Sequence, residues 1–207
     1  MVQLHHHKLT GMPKRVDHEE RRRQIAEAVW RIAAVRGLPA ATLREVAAEA
    51  GVSMRLVQYY FTTKEKMLVY ALEHGSRAAG VRMRARFATL GRPPGPVDVV
   101  RICLLELLPT DEDSLMLARV HAAYYAASLT DPALRDADAV SPQDQLVSVL
   151  ATQLSASPMP PGVDPVLEAR SLAALAAGLS STILAGVRTP EEATELVNYH
   201  VDRLFPA

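Results

Sequence analysis

Residues 42–64 place hydroxyl side chains where helices must begin and a glycine where one must end. Thr42-Leu43-Arg44-Glu45 has the form of a capping box, in which the hydroxyl accepts from a free N–H of the first turn and the carboxylate reaches back. Val46, Ala47 and Ala50 follow as a short apolar stripe, and Gly51 stands where a left-handed residue closes a helix. Ser53 offers the next cap, with Val52 and Val57 spaced around it as a hydrophobic staple. Thr62-Thr63-Lys64-Glu65 is another capping box, opening a longer helix to about Leu90. Two short helices joined only by Ala50-Gly51-Val52-Ser53 have the proportions of a helix-turn-helix. Val46, Ala47, Val52, Val57 and Phe61 are available to hold them together and against a preceding helix.

In such a motif the second helix enters the major groove of DNA with its N-terminal residues at base edges. That directs Met54, Arg55 and Gln58 toward bases, with Tyr59 and Tyr60 near the groove edges. Arginine bonds guanine O6 and N7 in a bidentate way, and glutamine pairs likewise with adenine. Thr42, Arg44, Ser53 and Lys64, with the free N–H groups at the helix starts, suit the backbone. Spacing alone leaves a helical pair without DNA binding open, since many share the glycine turn.

The rest of the chain reads as helices and turns. Asp17, with Glu20 three residues on, is expected to cap a first helix whose Ile25, Val29 and Ile32 recur at i, i+4, i+7. Gly37 and Pro39 end it. GRPPGP at 91–96 is the strongest breaker. Helices are expected at 97–108, 112–129, 132–155, 164–186 and 190–204, with a kink or break at Pro142. No run alternates with period two, so the expected class is all-α. No P-loop, GxGxxG, GxSxG or HExxH occurs.

Composition narrows the function. The 207 residues are neutral overall, but residues 1–66 carry 12 Lys/Arg against 7 Asp/Glu, a net of +5, and the remainder a net of −5. A basic end on an acidic body fits an anionic partner, nucleic acid or membrane surface. One cysteine, Cys103, excludes an internal disulfide framework and paired-cysteine zinc sites. No apolar run nears the ~20 residues that span a bilayer, and the first dozen residues lack a signal-peptide core. The expectation is a soluble, cytoplasmic chain with no membrane partner.

The segment TLREVAAEAGVSMRLVQYYFTTKEKML resembles the N-terminal signature of TetR-family transcriptional regulators. The likeness lies in Thr42, Ala47-Ala48, Gly51-Val52-Ser53, the Tyr59-Tyr60-Phe61 exit and Lys64, and includes the preceding Arg21–Gly37 helix. LAALAAGLSSTILAGVRTPEEATELVNYHVDRLF is similar to the C-terminal helix pair of BetI-like members. Two departures are Gln58, where the family usually has Tyr, and Tyr60, in place of a common His. The resemblance implies an all-α homodimer with a three-helix DNA-binding domain and a helical body that binds a small molecule and dimerises. Most such proteins are repressors released from a palindromic operator by that effector, often near their own gene. They are not enzymes and carry no cofactor, metal or catalytic residue. The alternative is a helical small-molecule-binding protein or enzyme without DNA binding.

On this basis residues 1–16 are an N-terminal arm, 17–63 the helix-turn-helix domain and 64–207 the body. The expected effector pocket draws on Cys103, Val120, His121, Tyr124, Tyr125, Leu146, Leu150 and Leu179. The expected dimer surface draws on Leu167, Ala174, Leu175, Gly178, Leu179, Thr182, Leu196, Tyr199 and His200, on two helices rich in small and apolar residues. Arg21, Arg22 and Arg23 face phosphates or solvent, and Glu106, interrupting ICLLELLP, faces pocket or solvent. Cys103 reads as a buried small hydrophobe, and His5–His7 as a tail without fixed ligand geometry.

Overall fold

The computed structural model describes residues 14–130, 132 and 142–205. Residues 1–13 of the expected arm, with His5–His7, and most of the stretch before Pro142 lie outside them. Among the described residues there are nine α-helices and no strand. They are α1 Lys14–Arg36, α2 Leu43–Glu49, α3 Met54–Tyr60, α4 Lys64–Ala88, α5 Pro96–Leu105, α6 Glu112–Ser128, α7 Pro142–Ser155, α8 Pro165–Leu184 and α9 Pro190–Leu204. A 3₁₀ turn, Leu38–Ala40, links α1 to α2.

Two expectations are corrected here. The first helix starts at Lys14, so Asp17 lies within it rather than capping it; Lys14 and Arg15 are themselves good helix formers. The cap of α4 is Thr63, whose hydroxyl accepts from Lys66 N at 3.3 Å, one residue later than a Thr62–Glu65 box requires. The break expected at Pro142 fits the bounds of α7, where Pro142 holds the first position and its missing N–H costs nothing. GRPPGP does separate α4 from α5. Asp98 accepts from both Arg92 guanidinium ends (2.6 and 2.9 Å) and from Gly95 N (2.8 Å), which holds its carboxyl below the usual range.

Two apolar cores form. The first joins α1, α2, α3 and the start of α4, and takes in Val120 and Tyr124 of α6. The second joins α5, α7, α8 and α9 around Leu104, Leu150, Leu154 and Leu172. Helices α4 and α6 therefore connect them. They meet tightly at Gly75, where an added Cβ would lie 2.4 Å from Leu117 Cδ1 and 2.8 Å from Trp30 Cζ2. Leu117 has a flexible end, but the Trp30 indole is fixed by donating to Ala71 O at 2.9 Å. Gly75→Ala gains about 1 kcal/mol of helix propensity and loses about 1–3 kcal/mol to overpacking. With the indole anchored, a net loss is expected in urea unfolding, and a more stable variant would contradict this packing.

Glu106 faces neither pocket nor solvent. Its side chain is 3% exposed, accepts from Arg82 Nε at 2.7 Å and lies 3.2 Å from Arg86 Nε, so the end of α5 is clamped onto α4. Cys103 is buried beside it, its Sγ 3.8 Å from Met83 Sδ. Burial, and secondarily the Glu106 carboxylate, push its thiol up to about 11. The thiolate is the reactive form, so iodoacetamide at pH 8 is expected to leave Cys103 unmodified in the folded chain and to alkylate it in urea.

Candidate nucleic-acid interface

The α2–α3 pair is built by the caps its residues announce. Thr42 Oγ1 accepts from Glu45 N at 3.2 Å, and Ser53 Oγ from Leu56 N at 3.2 Å. Glu45 does not complete a reciprocal box; its carboxylate instead meets Arg36 of α1 at 2.7 Å. Between the helices Gly51 has φ +66, Val52 N donates to Ala47 O (3.0 Å) and Gly51 N to Ala48 O (3.2 Å). These two bonds make a Schellman closure, which turns the chain sharply and frees α3 to leave at a new angle. Gln24 of α1 donates to Ala50 O at 2.8 Å and pins the turn. Arg31 adds a bond to Glu49 at 2.7 Å.

On α3, Val57 is fully buried and Leu56 and Tyr60 are half-buried, so they define its inner face. Met54, Arg55, Gln58 and Tyr59 point outward, with Met54 45% and Tyr59 70% exposed. Thr42, Arg44 and Ser53 are exposed on the same pair. Tyr60 and Lys64 differ from the rest. Tyr60 OH bonds His18 Nδ1 at 3.1 Å and ties α3 to α1, and Lys64 Nζ donates to Pro39 O at 3.3 Å and ties the start of α4 to the 3₁₀ turn. Arg22 turns inward, its guanidinium 4.2 Å from the Tyr70 ring centroid and 5.4 Å from that of Phe61. Tyr70 OH donates to Glu19 at 2.7 Å. Arg23 pairs with Glu20 at 2.7 Å on the surface.

Gln24 and His18 escaped the sequence reading. Their partners are a backbone carbonyl and a tyrosine far along the chain, and neither contact leaves a local pattern.

The family model described as "Bacterial regulatory proteins, tetR family" matches residues 25–71, which is this capped pair with its supporting helices. A second, described as "BetI-type transcriptional repressor, C-terminal", matches residues 96–206. The chain belongs to the TetR family. Over 169 residues it is 31% identical to the HTH-type transcriptional regulator PksA of Bacillus subtilis (strain 168), spanning 82% of this chain and 81% of that protein. It is 30% identical over 200 residues to the HTH-type transcriptional regulator BetI of Burkholderia thailandensis, spanning 94% and 98%. Its fold superposes with TM-score 0.74, at 25% identity and covering 89% of this chain and 96% of the other, on a putative transcriptional regulator from Saccharomonospora viridis solved in complex with choline. This TetR-family chain is a transcriptional regulator of the DNA-binding kind.

In the body of this TetR-family chain the expected pocket residues divide. Val120 and Tyr124 pack into the first core, whereas Cys103, Leu150 and Leu179 are buried in the second, with Leu146 packed against it. His121 is exposed and Tyr125 is 68% exposed. These eight residues are thus shared between the two cores and the surface, and α6 meets both α1 and α8. Open clefts of about 680 and 470 Å³ lie elsewhere, the first between α1 and α4 around Tyr70 and His74, the second along α9 around Thr194 and Asn198.

The expected dimer residues divide between exposed, half-buried and buried positions of α8 and α9. Leu167 (59% exposed), Ala174 and Gly178 lie on the outer face of α8, and Tyr199 (57% exposed) lies on α9. Leu175, Thr182, Leu196 and His200 are half-buried. Leu179 is buried in its own chain's core, because α8 points Ala169, Leu172, Ala173, Ala176 and Leu179 inward. No described helix is long and apolar enough to cross a membrane.

Proposed function

We propose that the chain is a homodimeric repressor that binds a two-half-site operator through α2 and α3 and is released from it by a small molecule bound in the body. The observation that carries this reading is the outer face of α3. Arg55 and Gln58, two of the side chains best suited to reading guanine and adenine, stand there exposed beside a capped, pinned turn. On this reading residues 17–63 are the DNA-binding part and 64–207 the body. Thr42, Arg44, Ser53, Tyr59, Tyr60 and Lys64 surround the base-reading residues and serve the backbone and groove edges.

Arg55→Ala is expected to relax base preference and cost about 1–3 kcal/mol of specific binding. Arg44→Ala is expected to weaken all duplexes alike and to reduce the slope of log K against log salt by about 0.9. Titrations of the two variants at several salt concentrations separate these roles, and a reversed assignment would overturn them.

The dimer would form on the outer face of α8 with α9: Leu167, Ala174, Gly178 and Tyr199 are exposed there, and a two-fold copy of the same helices would cover them. Its two recognition helices would then meet successive major grooves about 34–36 Å apart, or a multiple of that. An effector that favours another separation lowers operator affinity by its differential affinity for the two states. Because α4 and α6 connect the two cores, a change in the body reaches α1 through Trp30, Gly75 and Leu117. Choline, bound by the Saccharomonospora viridis protein, is the first effector to try, by thermal shift and by loss of the DNA complex.

A further inference from the structure

We propose that Met54 is a specificity-determining residue that reads the C5-methyl group of thymine in the operator half-site. The inference rests on α3 being the recognition helix. Met54 occupies the first position of α3, one turn before Gln58 on the same outward face. It is 45% exposed and packs into neither apolar core. It has no part in starting the helix either: Ser53 supplies the cap, and a helix start favours proline or an acidic residue, not a thioether. Neither core packing nor capping therefore accounts for a methionine at this position.

The surface that α3 would meet explains it. The floor of the major groove offers acceptors on guanine, adenine and thymine, amino donors on cytosine and adenine, and one apolar group, the thymine methyl. A methionine has no hydrogen-bond donor and only a weak acceptor, but it is flexible and polarizable. On an outward face shared with Arg55, Gln58 and Tyr59, it is the side chain whose best partner there is that methyl. The predicted half-site combines a guanine for Arg55, an adenine for Gln58 and a thymine beside them for Met54.

Selection from random duplex DNA with the full chain defines the half-site. Each thymine in it is then replaced by deoxyuridine, which differs only in lacking the methyl, and affinity is read by fluorescence anisotropy. Burial of one methyl predicts about fourfold weaker binding at one position. That loss is expected to vanish in Met54→Ala and persist in Met54→Leu, with helix content unchanged in both because the side chain is exposed. The inference is overturned if no deoxyuridine position weakens the wild type, or if the loss is the same size in Met54→Ala. If selection enriches no sequence, the recognition-helix reading fails first and takes this one with it.

Discussion

Gly178→Arg is expected to yield a monomer whose operator affinity is lower by about 10²–10⁴-fold, the gain that simultaneous engagement of two half-sites supplies. Gly178 is exposed on α8, and a Cβ built there meets no heavy atom within 4 Å. An arginine is therefore accommodated by the single chain without clash. It should even stabilise α8, because glycine in an exposed helix interior is worth about 0.8–1 kcal/mol less than alanine, and arginine is close to alanine. The same side chain placed on a two-fold interface of small residues puts two guanidinium groups against each other. The variant thus separates folding from assembly. Light scattering should give the 22.5 kDa chain mass instead of twice that, with circular dichroism unchanged. A dimeric variant with full operator affinity would remove this face from the mechanism.

Arg82→Ala is expected to be strongly destabilising for a residue that is itself partly exposed. It leaves Glu106, with a side chain 3% exposed, facing only Arg86 at 3.2 Å. Breaking a buried pair from one side costs about 3–5 kcal/mol; with Arg86 still beside the carboxylate, the lower figure applies. At ~2–4 °C per kcal/mol for a chain of this size, the melting temperature should fall by roughly 6–12 °C. Glu106→Leu should cost far less. Arg82 and Arg86 are 26% and 38% exposed, so they can turn to water, and an apolar side chain suits the vacated site. The double variant should recover most of the stability lost in Arg82→Ala. Equal losses in both single variants would show that the charge pairing is not what clamps α5 to α4.

The helix-turn-helix was legible because its determinants are local. A cap is a bond from residue i to i+3, and the turn needs one left-handed position, so Thr42, Gly51 and Ser53 announce their roles within a few residues. Glu45 and Glu65 show the limit of that logic. Both stand in box positions, yet Glu45 finds its partner on α1, and the cap of α4 shifts to Thr63. Which core each buried face meets was not legible, because apolar periodicity gives a helix an inner face without saying what that face packs on. Val120 and Tyr124 follow the same spacing as any body residue but pack under α1. The Glu106 cluster was hidden for a similar reason. A glutamate within an apolar run signals burial with a partner only once Arg82 and Arg86 are known to lie across from it.

The central claim, sequence-specific DNA binding by a dimer through α3, is tested most directly by a mobility-shift titration of the full chain. The probe is the DNA flanking its own gene, with a scrambled duplex of equal length as competitor, at physiological salt. The account predicts a retarded complex containing two chains and a specific affinity at least about 10³-fold above the scrambled duplex, with the preference lost in Arg55→Ala. Equal affinity for both duplexes on DNA carrying every candidate half-site, or a specific complex that Arg55→Ala leaves intact, would contradict it.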